Sequence, residues 1–102
     1  MKTLGDVASK VRSKNAGPFW LTIDVFCGTT AAFETVRDGL STTAVAARFD
    51  VDPNNLKRFD IADLNIVKFS LPRPSVQGVR LDRDMHGASF AQVLAGLELA
   101  DT

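Results

Sequence analysis

Tyrosine is absent from this chain, and cysteine, histidine and tryptophan occur once each. A single thiol, Cys27, excludes an internal disulfide framework and any all-cysteine metal cluster. One His and one Cys, far apart in sequence, make a poor protein-only zinc site, so neither metal nor cofactor is expected. Excess charge of either sign is also missing: 12 Lys and Arg face 12 Asp and Glu. A protein that binds nucleic acid usually carries surplus positive charge to displace counterions, so no nucleic-acid partner is expected. No apolar run approaches the roughly 20 residues that cross a bilayer, and the first residues lack the apolar core of a signal peptide. No membrane partner and a cytoplasmic location follow as expectations. The phosphate-binding pattern G-x-x-x-x-G-K is not found either.

What is present suits one globular unit over residues 1–102, at 11.0 kDa with 45% apolar residues. A chain this short has little room to enclose a deep cavity within its own walls. A site shared with another chain is therefore a natural arrangement.

Thr3 and Asp6 form a capping-box pattern, and Leu4, Val7, Ala8 and Val11 follow a helical stripe that predicts a first helix ended by Asn15, Gly17 and Pro18. Phe19 to Phe26 alternates, with Phe19, Leu21, Ile23 and Val25 on one face, and predicts a strand. Thr29 or Thr30 opens a helix burying Ala32, Phe33, Val36 and Leu40, with Gly39 as a left-handed stop. Ser41 or Thr42 opens a short helix through Val45 and Phe49, and Asp52-Pro53 predicts one further turn. Leu64 to Leu71 predicts a second, interior strand, and Val79 to Leu81 a short extended piece. The tail fits two periods; a helical turn near Ser89 to Gln92 and then a closing strand to Leu99 is the expectation. The whole reads as an α+β sandwich, one mainly antiparallel sheet with helices on one face.

Three clusters carry chemistry. Arg12, Ser13, Lys14, Asn15 and Gly17 read as a Gly/Pro turn ahead of a strand, offering cations, a hydroxyl, an amide and free N–H groups to a carboxylate or phosphate. The plainer reading is a solvated helix C-terminus. Asp84 and His86 share a face of an extended chain, so the carboxylate can orient the imidazole for acid–base work; the plainer reading is a surface turn. Arg73, held between Pro72 and Pro74, suits bidentate carboxylate recognition, or is simply an exposed strand exit. Asp24, mid-strand, faces solvent or a cation, and Trp20 and Phe26 beside it make that face a candidate interface.

The runs Arg12 to Phe19 and Leu21 to Phe26, with Leu71-Pro72-Arg73-Pro74 and Asp84 to Ala88, resemble a small bacterial family of unknown function that accompanies AtuA-type (acyclic terpene utilisation) proteins. The ending also resembles the ferredoxin-fold domain of AtuA-type proteins. The resemblance implies a ferredoxin-like fold and a larger AtuA-type subunit as partner. It also implies a place in the catabolism of branched or carboxylated acids but carries over no activity; the polar turns and the small size of the chain suggest the small subunit of a lyase or hydratase acting on a hydroxy acid or its thioester. The chain departs from the family pattern at His86, where Tyr is common, which weakens the catalytic claim of that imidazole. Under this reading Arg12, Ser13, Lys14, Asn15, Gly17 and Arg73 bind substrate, and Asp84 and His86 are the proton-transfer candidates. The alternative is a non-catalytic, homo-oligomeric module that binds a small acid.

Overall fold

The computed structural model describes residues 2–17, 19–72 and 87–100, with side chains of 87–89 left aside. Its sheet forms around the alternating segment anticipated above. Strand β2, Trp20–Phe26, puts Leu21, Ile23 and Val25 wholly inside, and β4, Ile66–Pro72, does the same with Val67, Phe69 and Leu71. The two pair antiparallel at the centre of the sheet, Ile23 opposite Phe69. Two edge strands complete it, β1 (Lys10–Asn15) beside β2 and β3 (Lys57–Ile61) beside β4, all antiparallel in the order β1-β2-β4-β3.

Helix α1 (Leu4–Val7) precedes the sheet, α2 (Thr30–Gly39) and α3 (Thr42–Arg48) bridge β2 to β3, and α4 (Gly87–Ala95) follows β4. Thr29 Oγ1 accepts from Ala32 N and Ser41 Oγ from Ala44 N, each occupying an otherwise unpaired donor of a first turn. Asp52 likewise caps the 3-10 turn Pro53–Asn55. Phe33, Val36, Val45, Phe49, Phe90 and Leu94 join the inward residues of β2 and β4 in one core. Within it Phe49 meets Phe90 edge-on at 6.0 Å. Among the described residues the helices thus cover one face of the sheet and none packs on the other, an α+β layering compatible with a ferredoxin-like sandwich.

Several expectations are corrected. The first helix ends at Val7; Ala8 is extended, and Ser9 N already donates to Phe26 O. A short isolated helix is marginal, so pairing with β2 wins over the local stripe, and Val11 lies opposite Val25. Residues 12–15 are therefore strand, where a turn was expected. Phe19 lies outside β2 and is exposed, and Leu64 belongs to a 3-10 turn before β4. Strand β3 was not anticipated. Gly39 has no left-handed φ; it is the last residue of α2, where a Cβ would stand 3.1 Å from Ala100 O and 3.3 Å from Leu99 Cβ. The tail is helical through Ala95, and the closing strand shrinks to an isolated bridge, Thr3 opposite Glu98. The extended piece expected at Val79 to Leu81 lies outside the described residues.

Candidate functional site

The pleat sorts the first cluster. Val11, Ser13 and Asn15 stand opposite Val25, Ile23 and Leu21, on the side of the helices; Arg12 and Lys14 stand opposite Asp24 and Thr22, on the open side. Ser13 is engaged there: its Oγ accepts from Ala91 N at 2.9 Å and fastens α4 to the edge strand. Gly17 serves the turn between β1 and β2, with φ +85, a conformation that favours glycine. The structure thus brings Arg12 and Lys14 together and separates them from Ser13 and Asn15. Arg73, Asp84 and His86 lie outside the described residues.

Register then adds side chains that sequence reasoning did not single out. Arg12, Asp24, Lys68 and Phe59 form one row across the four strands; Lys14, Thr22, Ser70 and Lys57 form the next. Lys10, Phe26, Ile66 and Ile61 make a third. The open face therefore carries Lys10, Arg12, Lys14, Lys57 and Lys68 against the one carboxylate of Asp24, among the described residues. Elsewhere in the described chain Lys2, Arg37, Arg48 and Arg58 are outnumbered by Asp6, Glu34, Asp38, Asp50, Asp52, Asp60, Asp63 and Glu98. Balanced composition conceals a cationic sheet face and an acidic remainder. The one signal for this in the sequence is the cation at every second position of Lys10, Arg12 and Lys14, which is how edge strands resist pairing with other chains.

A shallow cleft of ≈ 100 Å³ opens on this face, lined by Arg12, Ser13, Lys14, Asp24 and Phe26. The ion pairs among the described residues are Arg37–Asp38 and Arg58–Asp60, so half-buried Asp24 has cations to either side yet no described cation within 4 Å. Trp20 (40% exposed) and Phe59 (48%) stand on the same face. Such an arrangement can hold an anion by charge-assisted hydrogen bonds and offer a carboxylate to a donor beside it.

Residues 4–98 match a family described as a domain of unknown function, DUF4387. The chain belongs to the DUF4387 family. No curated protein and no solved structure matches it. The DUF4387 match spans β1, the open face and α4, and its description names neither an activity nor a partner.

Other parts of the DUF4387 chain offer less chemistry. Cys27 is buried, and desolvation pushes its thiol pKa up. A hollow between α1, β1 and α4 is walled by Gly5, Ala8, Ala91 and Ala95, and another beside α3 by Ala44, Ala47, Arg48 and Leu97. Among the described residues, no group of three His, Cys, Asp or Glu could hold a metal ion. None of the described helices is long and apolar enough to cross a membrane.

Proposed function

We propose that this chain is a small companion subunit that lends carboxylate-binding cations to a site completed by a larger AtuA-type partner, in a lyase or hydratase reaction on a hydroxy acid or its thioester. The observation that carries the reading is the open sheet face, where Arg12 and Lys14 flank a cleft too shallow to enclose a substrate. Dehydration of a hydroxy acid moves the proton beside the carbonyl to a base, forms the carbon–carbon double bond, and releases the hydroxyl as water once it takes a proton. It needs donors on the developing enolate and a base nearby. Arg12, Lys14 and Arg73 fill the first role in this reading, and Asp84 with His86 the second. The resemblance described above supports the partner.

The test is co-expression with an AtuA-type subunit, followed by co-purification and a hydration assay read by loss of the conjugated double bond. Joint replacement R12A/K14A is expected to raise KM at least tenfold while leaving the pair associated. Failure of the two chains to associate overturns the proposal.

A second reading is a stand-alone acid-binding module. It is favoured by the fact that Arg12, Lys14, Asp24 and Lys68 all come from one chain. It requires that the isolated protein form homo-oligomers and melt higher in the presence of a small carboxylate.

A further inference from the structure

The row Arg12–Asp24–Lys68 constrains what a ligand of the open face must look like. The two cations face each other across β2, two strand spacings or about 10 Å between Cα atoms. Asp24, with its short side chain, is half-buried in the row between these two long ones. Lys14 stands one row along beside Arg12, and the hydroxyls of Thr22 and Ser70 fill the positions next to Asp24 and Lys68. A ligand with one carboxylate satisfies one end of this row. A four- or five-carbon diacid, with a charge-assisted contact of about 2.8 Å at each end, covers the span. Two ligand carboxylates together with Asp24 also balance Arg12, Lys14 and Lys68.

Asp24 adds the discriminating element. A plain diacid laid across the row brings its carbon chain over a carboxylate that gains nothing from it. A hydroxyl on that chain donates to Asp24 Oδ, turning a repulsive neighbour into an acceptor. The geometry points to a hydroxydicarboxylate as the ligand of this face, with Arg12 and Lys68 gripping the two carboxylates and Asp24 selecting the hydroxyl. This rests on the acid-binding reading above and narrows it, adding Asp24 and Lys68 as specificity-determining residues. Because Arg12 is exposed and Asp24 and Lys68 are only half-buried, each contact is screened and weak, and the isolated chain is expected to bind only in the millimolar range.

The protein reports on the site itself, since its one tryptophan, Trp20, stands on the same face. The full-length chain is titrated with malate, succinate and lactate at low ionic strength, following Trp20 emission and, independently, melting temperature. Malate is expected to bind about fivefold tighter than succinate, which lacks the hydroxyl, and tighter than lactate, which lacks the second carboxylate. Asp24→Asn is expected to erase the preference for malate over succinate. Lys68→Met is expected to weaken malate severalfold and leave lactate unchanged. Both substitutions lie on the open face, and the melting curves verify that the variants fold. Equal binding of malate and succinate, or a Lys68→Met variant that binds malate as before, overturns the hydroxydicarboxylate assignment and leaves the acid-binding reading standing. No binding of any of the three acids by the folded chain overturns both.

Discussion

Arg58 is the interior-facing charge of edge strand β3, and its removal is the sharpest test of how the helical layer is tied to the sheet. Its guanidinium donates to Leu40 O and, at 3.0 Å, to Arg37 O, the carbonyls left open where α2 ends. It also pairs with Asp60 at 2.9 Å and lies over the Phe69 ring at 5.6 Å. The Arg58 side chain is 14% exposed and that of Asp60 35%, so the ion pair is partly screened and contributes little by itself. The carbonyl bonds weigh more, because an end of helix left unsatisfied in a half-buried setting loses its water as well as its donor. Taken with a modest cation–π contribution, Arg58→Met is expected to cost roughly 3 kcal/mol, the methionine keeping the packing on Phe69 but none of the hydrogen bonds. Urea unfolding should show a lower midpoint at unchanged slope, and Tm should fall by roughly 10–20 °C. Arg58→Lys should lose about half as much, since one ammonium cannot span both carbonyls. An Arg58→Met variant within about 0.5 kcal/mol of the parent would refute the reasoning, because that is the range of a surface substitution.

Three further outcomes are expected. Ser13→Ala removes the acceptor for Ala91 N and should cost about 1 kcal/mol, with faster hydrogen exchange at the Ala91 amide; unchanged protection there would show that β1 does not hold α4 through this bond. Gly39→Ala should destabilise by about 1 kcal/mol although alanine is the better helix former, because its Cβ meets Ala100 O and Leu99 Cβ at 3.1 and 3.3 Å; a more stable variant would mean the tail yields freely. The Thr3 backbone N–H, followed by its hydroxyl, holds the Asp6 carboxyl below its ordinary pKa. A lowered folded-state pKa gives stability that is present above pH about 4 and lost as pH falls through the folded value. The stability gap between the parent and Asp6→Asn should therefore be open at pH 7 and close in acid, and a gap independent of pH would contradict the assignment.

The legible parts of the fold were those where one period dominates. Leu21, Ile23 and Val25 alternate cleanly, and β2 is where they place it; Phe33 and Val36 follow a helical stripe behind a Thr cap, and α2 forms there. The edges were harder for a physical reason. An edge strand needs one apolar face or less, and β1 carries Val11 as its only large apolar residue. β3 goes further: its apolar residues, Phe59 and Ile61, face outward, while the inward positions are Arg58 and Asp60, neutralised by each other and by the end of α2. A period count cannot find a strand whose helix-side positions are a half-exposed ion pair. In the tail, Val93 and Leu97 satisfy both periods, and the backbone decides: Leu4 N bonds Leu97 O and Leu99 N bonds Lys2 O, which leaves only an isolated bridge where a closing strand is expected.

The same limit governs the candidate site, and there it has a functional consequence. A sequence places Arg12, Asp24 and Lys68 in three separate segments, and the zero net charge of the whole chain hides them. Only the register of β1 on β2 and of β2 on β4 lines them up in one row, and only the burial of Leu21, Ile23 and Val25 determines that the row faces away from the helices. The expectation that Arg12 to Asn15 act together assumed a turn, in which neighbouring side chains can converge. A strand forbids that, since successive residues leave on opposite faces. The convergence that matters is across strands, where opposite positions lie about 5 Å apart. The proposed anion site therefore depends on sheet register: shifting β1 by one residue would move Arg12 and Lys14 to the helix side and bring Val11 and Ser13 to the open face.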